Sequence, residues 1–163
     1  MSHKESDGSV TMLPGADAPR PAVALVAHDR RKDEMIEWVL FNRGTLSRCS
    51  LYATRTTGLS LQSALDARIQ LLLSGPMGGD AQLGSLIAEG RMDAVFFFWD
   101  PLTPQPHDVD VKALLRLAVL YDVAIACNRS SADHIISSPL FEMPEQYRRD
   151  RAQAGPDYVP WAR

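Results

Sequence analysis

Five short apolar runs recur along the chain, at residues 22–27, 50–54, 69–73, 94–99 and 123–127. They are nearly continuous in apolar residues instead of alternating, which is typical of strands covered on both faces. The segments between and after them predict helices over 32–43, 58–66, 80–89, 109–121 and 131–137. This alternation predicts an α/β fold: a single doubly wound parallel sheet of about five strands with helices on both faces, the three-layer arrangement of Rossmann-like and flavodoxin-like proteins.

The apolar residues of two of these segments allow a more specific prediction. The run Phe96-Phe97-Phe98-Trp99 could suggest a cofactor-binding box, but a buried central strand explains it better. In the helix over 109–121, apolar residues at helical spacing predict one buried stripe. The stripe consists of Val111, Leu114, Leu115, Ala118 and Val119.

Composition narrows the class of protein and its partners. A chain of 163 residues, 45% hydrophobic and 23% charged, predicts one globular domain. Its net charge of −3 argues against nucleic acid or an anionic membrane as the main partner. Cys49 and Cys127 lack metal-binding spacing, so we expect two reduced, partly buried thiols.

The distribution of apolar residues also predicts the domain boundaries and the cellular location. No apolar run approaches the roughly 20 residues that span a bilayer, and residues 1–20 lack the apolar core of a signal peptide. We therefore expect a disordered leader at 1–20, one domain at 21–143, a C-terminal tail at 144–163 and a cytoplasmic location.

Polar residues follow all five predicted strands. In a doubly wound sheet, ligands bind beyond the carboxyl ends of the strands. The residues at the amino-terminal ends of the predicted strands include no comparable set of polar side chains. The asymmetry predicts one site at one rim, formed by the five loops together. The polar segments are His28-Asp29 with Lys32, Thr54 to Gly58, Ser74 to Asp80, Asp100 with 106–110, and Asn128 to Ser131.

One set of these residues suits a phosphate. The glycine-rich turn at 74–80 opens a predicted helix, whose first N–H groups and partial positive charge favour an anion. Neutral donors and one lysine on neighbouring turns could hold that phosphate together. These are Lys32, Thr54, Thr56, Thr57, Ser74 and Gly75.

Each of these residues also has a purely structural explanation. Thr57 could be a helix N-cap, Thr54 a β-branched strand residue and Lys32 a solvated helix lysine. The chain has neither GxxxxGK[ST] nor GxGxxG, so nucleotide binding through either loop is unsupported.

A second set carries carboxylates and histidines, and two chemistries fit it. Asp80, Asp100, His107, Asp108 and Asp110, with His28 across the site, could hold a metal ion. Alternatively, a carboxylate removes a proton next to a ketone while a neutral histidine polarises the carbonyl. Asp80 itself could be that base or simply the N-cap of its helix.

Several motifs together resemble the methylglyoxal synthase family, from about residue 22 to residue 142. They are His28-Asp29, the turn at 54–58, SGPMGGD at 74–80, FFWDPL at 97–102 and PHDVDVKALLRLA at 106–118. The resemblance implies metal-free conversion of dihydroxyacetone phosphate to methylglyoxal and inorganic phosphate, without a cofactor. It also implies a homohexamer and feedback inhibition by phosphate.

The same resemblance implies roles for individual residues. Asp80 matches the catalytic base, His107 the residue that polarises the carbonyl, and His28 a substrate-binding residue. Asp100 and Asp110 match supporting carboxylates, with Asp110 expected to tune the site, and Arg116 matches a position associated with communication between subunits. The phosphate binders match Lys32, Thr54, Thr56, Thr57, Ser74 and Gly75.

Arg55 departs from the family, which usually has glycine between the phosphate-binding threonines. An arginine would crowd the turn if this position required a positive φ angle. Alternatively, its guanidinium adds a cation near the phosphate. Two other functions remain open at this point. One is a regulatory module of the same fold that binds a phosphorylated effector without chemistry, and the other is a metal-dependent phosphatase.

Overall fold

The computed structural model describes residues 20–144, and the predicted leader and tail lie outside this range except for Arg20 and Pro144. The strands are β1 (Ala22–Ala27), β2 (Ser50–Thr54), β3 (Ile69–Leu72), β4 (Ala94–Phe98) and β5 (Ala124–Ala126). The helices are α1 (Lys32–Phe41), α2 (Arg43–Leu46), α3 (Arg55–Leu65), α4 (Gly79–Ala88), α5 (Asp108–Leu120) and α6 (Arg129–Ser137). Short 3-10 turns cover Asp29–Arg31, Gly75–Met77 and Pro139–Glu142.

The five strands form one parallel sheet in the order β3-β2-β1-β4-β5. The chain therefore builds outward from β1 to β3 and then crosses to the other side of β1 for β4 and β5. The order in which strands are added to the sheet reverses between the parallel neighbours β1 and β4. This switch point opens a crevice at their carboxyl ends. The predicted doubly wound α/β sheet is confirmed.

Two apolar clusters, one on each face of the sheet, hold the helices in place. Phe96 and Phe98 point to one face and pack with Trp38 of α1, whose ring centroid lies 4.7 Å from that of Phe96. Phe97 points to the other face and packs with Leu83 of α4 and with residues of α5. Because β1 and β4 are buried along their whole length, they are the central strands, and the aromatic run is core, as predicted.

The predicted stripe on α5 is only partly correct. Val111, Leu114 and Ala118 are buried, whereas Val119 is 67% exposed. The helix therefore packs along a narrower face than its apolar residues suggest, and it leaves an apolar patch beside Arg116 on its outer side. Cys49 is buried and Cys127 half-buried, both as free thiols, as expected. Within residues 20–144, no helix is long and apolar enough to cross a bilayer.

The helix after β2 begins earlier than its sequence pattern indicates. It starts at Arg55 instead of residue 58, with Thr54 in the N-cap position. Thr57 therefore lies inside the first turn, and its interpretation as an N-cap is wrong. Its hydroxyl lies 3.4 Å from the Ala27 carbonyl, which ties α3 to the end of β1.

The interpretation of Asp80 as a helix N-cap is also wrong. Gly78 caps α4 with a left-handed backbone, and Asp80 follows as the second residue of the helix. Gly79 lies directly against the chain that leaves β3: a Cβ atom there would stand 2.0 Å from the Leu73 carbonyl oxygen. Gly79 and Met77 donate backbone hydrogen bonds to Ser74, which closes the turn and turns Asp80 inward.

We expect Gly79→Ala to destabilise the protein by about 1–3 kcal/mol, since the added methyl would collide with backbone instead of a movable side chain. Gly44→Ala is the matched control, because nothing lies within 4 Å of its added Cβ and it sits in α2. Chemical denaturation of both variants measures the difference. Equal stability of the two variants would show that the turn relaxes freely.

Candidate active site

A cavity of about 230 Å³ opens at the carboxyl end of the sheet, below the usual range for drug-sized ligands. Loops that follow β1, β2, β3 and β4 line it. The expected single site at one rim is therefore present as a cavity. Its polar lining consists of His28, Asp29, Lys32, Thr54, Thr56, Ser74, Gly75, Asp80, Gln105 and His107.

The loop after β5 does not line this cavity, contrary to the expectation that all five loops contribute. Its polar residues have local structural tasks instead. Asn128 caps α6 by accepting a hydrogen bond from the Ser131 N–H at 2.9 Å. Arg129 forms an ion pair with Glu37 of α1 at 3.0 Å. Polar residues at a strand end are thus not enough to predict membership of the site.

Asp80 is the most unusual carboxylate of the site. It is only 2% exposed, and neither side-chain oxygen has a hydrogen-bond partner within residues 20–144. Burial raises the pKa of Asp80; nearby His107 opposes this rise and Asp110 adds to it. Desolvation therefore outweighs the effect of the histidine, and a carboxyl group of raised pKa faces the cavity.

His107 lies next to Asp80 at the start of α5. Its Nε2 atom is 3.6 Å from Asp80 Oδ2, which is too long for a good hydrogen bond. Both groups line the cavity, so a ligand atom in the cavity can approach both of them. Gly75 makes this placement possible, because a Cβ at that position would stand 2.6 Å from the same Nε2 atom. Gly75 thus admits the imidazole in addition to exposing its own backbone.

His28 is held in one tautomer by the backbone of the next central strand. Its Nδ1 accepts a hydrogen bond from the Asp100 N–H at 3.1 Å, so Nε2 carries the proton. Burial and the neighbouring His107 lower the pKa of His28, which favours the neutral ring. Its Nε2 is buried without a partner within the described range, so this N–H is free to donate to a ligand.

Three of the residues predicted for the site lie beside the cavity instead of in its lining. Asp100 accepts a hydrogen bond from Leu102 at 3.0 Å. The Thr103 side chain and the Leu102 N–H hold its pKa below the ordinary value. Asp110 is half-buried on α5 and acts on Asp80 through its charge. Thr57 is buried beneath the cavity, with its hydroxyl 3.4 Å from that of Thr54.

The remaining predicted phosphate binders lie together on the side of the cavity opened by β1, β2 and β3. Thr54, Thr56, Ser74 and Gly75 line it, and Lys32 supplies a cation. The Lys32 ammonium lies 3.4 Å from the Ala27 carbonyl and 2.5 Å from a carboxylate oxygen of Asp29. These neutral groups and this cation line the same cavity as Asp80 and are of the kinds that bind an anion.

Arg55 does not strain the turn. Among non-glycine residues 20–144, only Asp66 and Asp122 have positive φ angles, and Arg55 is the first residue of α3. The steric objection therefore fails, and what Arg55 adds is an exposed guanidinium next to Thr54 and Thr56.

Sequence reasoning assigned no role to three lining residues. Asp29 follows β1 directly and stands three positions before Lys32, a spacing that brings side chains together on a helical turn, so it could have been found. Pro76 and Gln105 line the cavity without a chemical signature in the sequence. Across residues 20–144, no group of three or more His, Cys, Asp or Glu side chains is placed to hold a metal ion.

Comparison with known proteins agrees with this architecture. The family model "MGS-like domain" matches residues 34–127. A methylglyoxal synthase from Leptospira interrogans is 56% identical over 119 residues, 73% of this chain and 80% of that protein. One from Pectobacterium atrosepticum is 50% identical over 136 residues, 83% of this chain and 86% of that protein.

A solved structure is similar over most of the chain as well. The crystal structure of a methylglyoxal synthase from Elizabethkingia anophelis superimposes with a TM-score of 0.72 at 48% identity. The match covers 76% of this chain and 82% of that one.

The raised pKa of Asp80 predicts how stability changes on substitution. A raised folded pKa gives stability that is complete below the unfolded value of about 3.9 and is lost as pH rises through the folded pKa. Asp80→Asn removes the ionisable group, so we expect it to increase stability at pH 8 by about 0.5–2 kcal/mol, and by less at pH 5.

Melting temperatures at both pH values test this expectation, with exposed Asp33→Asn as the control for loss of a carboxylate. A melting temperature that falls at pH 8 would mean that the Asp80 charge is stabilised by its surroundings.

Proposed function

Because this chain belongs to the methylglyoxal synthase family, an enzyme family of the lyase type, we propose that its small-molecule substrate is dihydroxyacetone phosphate. The reaction yields methylglyoxal and inorganic phosphate. One observation carries this proposal: a buried carboxylate of raised pKa, Asp80, stands beside the His107 imidazole in the same cavity as a set of phosphate donors.

The first step is removal of a proton from the hydroxymethyl carbon by Asp80. The electrons of the broken C–H bond move into the neighbouring carbonyl and form an enediolate, whose oxygen needs a hydrogen-bond donor. The proton and the carbonyl oxygen belong to adjacent carbons, so base and donor must be neighbours. The 3.6 Å between Asp80 Oδ2 and His107 Nε2 satisfies this requirement.

His28 supplies a second donor to the developing negative charge. Since Nδ1 accepts from the Asp100 N–H, the ring presents Nε2–H to the cavity and stays neutral at physiological pH. A neutral imidazole stabilises an enediolate by donating a hydrogen bond without transferring its proton prematurely. Asp100 therefore supports the reaction through its backbone, by orienting His28.

The second step is loss of phosphate. The enediolate electrons form a C=C bond to the carbon that carries the phosphate as its C–O bond breaks. The oxygen of the former hydroxymethyl group becomes the aldehyde carbonyl, and its proton leaves with the phosphate. The resulting enolate takes up the proton held by Asp80 and yields methylglyoxal. This elimination requires the C–O bond to lie out of the enediolate plane, which is a matter of positioning. In this scheme the phosphate is held at that angle by residues that line the cavity, namely Lys32, Thr54, Thr56, Ser74 and Gly75. Thr57 supports Thr54 from below.

Asp110 tunes the base in this scheme. Its charge helps to raise the pKa of Asp80 without lining the cavity. We further propose the finer properties that the family resemblance implies: a cytoplasmic homohexamer, inhibited by inorganic phosphate, in which Arg116 takes part in communication between subunits. Exposed apolar side chains beside Arg116 on α5, including Val119, support a subunit contact there.

Incubation with dihydroxyacetone phosphate, with and without a chelator, tests the function. Formation of a dicarbonyl and free phosphate despite the chelator supports the synthase. Binding of the phosphate ester without turnover would indicate a regulatory module, and metal-dependent release of dihydroxyacetone would indicate a phosphatase.

We expect Asp80→Asn to fold normally yet lower turnover by roughly 100-fold or more, because the amide cannot accept the proton. Exposed Asp33→Asn is the control and should retain activity. Steady-state kinetics of both variants decide the matter. Near-normal turnover of Asp80→Asn would remove Asp80 from the mechanism.

Lys32→Ala should mainly raise KM, by roughly tenfold or more, because a hydrogen bond to a charged phosphate is lost. Lys112→Ala, which removes an exposed lysine of α5 away from the cavity, is the matched control. An unchanged KM for Lys32→Ala would mean that the phosphate binds elsewhere.

A further inference from the structure

Asp29 places a negative charge inside the anion-binding half of the cavity. Its side chain is 95% exposed and lines the cavity, and one of its oxygens lies 2.5 Å from the Lys32 ammonium. A carboxylate at this position repels an incoming phosphate, so its presence at a phosphate site requires an explanation.

The contacts of Lys32 explain what the carboxylate does. Apart from Asp29, the ammonium approaches the Ala27 carbonyl at 3.4 Å, so within residues 20–144 Asp29 is its closest partner. The lysine side chain is 19% exposed and therefore largely fixed, whereas that of Asp29 is free to swing into solvent. An ion pair with one fully solvated member contributes little stability and is easily broken.

We propose that Asp29 is an internal competitor for Lys32, which occupies the ammonium in the empty site and is displaced when a phosphoryl group binds. This inference rests on the proposed function, since it takes Lys32 to be the cation that holds the phosphate. Asp29 thereby limits the affinity of the site for phosphoryl groups in general. It weakens substrate binding, and it equally weakens retention of the inorganic phosphate that the reaction releases.

The alternative role for Asp29 is to orient Lys32 for the ligand. The two roles predict opposite results, because a competitor weakens phosphate binding whereas an orienting residue strengthens it. The Lys32 contact to the Ala27 carbonyl, which does not involve Asp29, favours competition: the ammonium keeps an anchor when the carboxylate leaves.

Inorganic phosphate is the probe, and its Kd is measured by calorimetry on the full chain, without reliance on turnover. We expect Asp29→Asn to lower this Kd by roughly two- to tenfold, the range for removal of one solvated like charge near the ligand. Asp33→Asn is the matched control, because it removes an exposed carboxylate next to Lys32 in sequence that does not line the cavity. Its effect should be smaller.

A double-mutant cycle with Lys32→Ala isolates the competition. If Asp29 acts through Lys32, Asp29→Asn has little effect on phosphate binding once Lys32 is alanine. An unchanged or higher Kd in Asp29→Asn alone, or an equal effect in both backgrounds, would overturn the proposal. An equal effect of Asp33→Asn would also overturn it, by showing that general charge is responsible.

The same data separate this inference from the proposed function. If Lys32→Ala weakens phosphate binding while Asp29→Asn does not strengthen it, only the competition fails. If Lys32→Ala leaves phosphate binding unchanged, the phosphate site itself has been misassigned and both fail together. Steady-state KM for dihydroxyacetone phosphate should move in the same direction as the phosphate Kd in every variant.

Discussion

Burial of the Asp80 carboxylate is the constraint on which the site depends. A carboxyl group that is 2% exposed and has no hydrogen-bond partner within the described residues is costly to bury, and the fold pays this cost at the cavity. The means is steric: a side chain at position 79 would collide with the backbone that leaves β3, and the chain after Gly79 turns Asp80 inward. The basicity of the carboxylate is thus a result of backbone packing.

The two histidines show how identical side chains are held in place by different means. His28 accepts a hydrogen bond from the backbone N–H of Asp100, just after β4. This bond determines the tautomer of His28 and leaves its Nε2–H free for a ligand. His107 opens α5 and depends on the missing side chain of Gly75 for room. The supporting groups, a backbone N–H and a glycine, have no obvious catalytic signature in the sequence. Supporting residues of this kind decide whether a recognised motif is placed to work.

Much of this could be predicted from the sequence, because continuous apolar runs and helical spacing depend on local pattern. These patterns predicted the parallel sheet, its helical layers and the location of the site at the carboxyl ends of the strands. They also pointed to the carboxylates and histidines that line the cavity. What failed depended on contacts between distant segments. The start of α3 at Arg55, the exposure of Val119 and the absence of the β5 loop from the cavity arise from packing that no local pattern encodes. The pairing of Asp29 with Lys32, by contrast, was open to prediction from their i,i+3 spacing.

The unequal burial of the strands has a consequence for how such an enzyme could diversify. His28 follows β1 directly, and its backbone N–H donates a hydrogen bond to the Phe98 carbonyl at the end of β4. β1 and β4 are the two strands of the sheet without any exposed residue. Thr54 and Thr56 stand at the end of β2, and Ser74, Gly75 and Asp80 follow β3, toward the more open edge of the sheet. Residues of β2 and β3 are therefore expected to tolerate substitution better than those of β1 and β4, whose packing positions His28. Arg55 stands exposed at this more open edge, as the first residue of α3, where a change of side chain alters the local charge without disturbing the central strands.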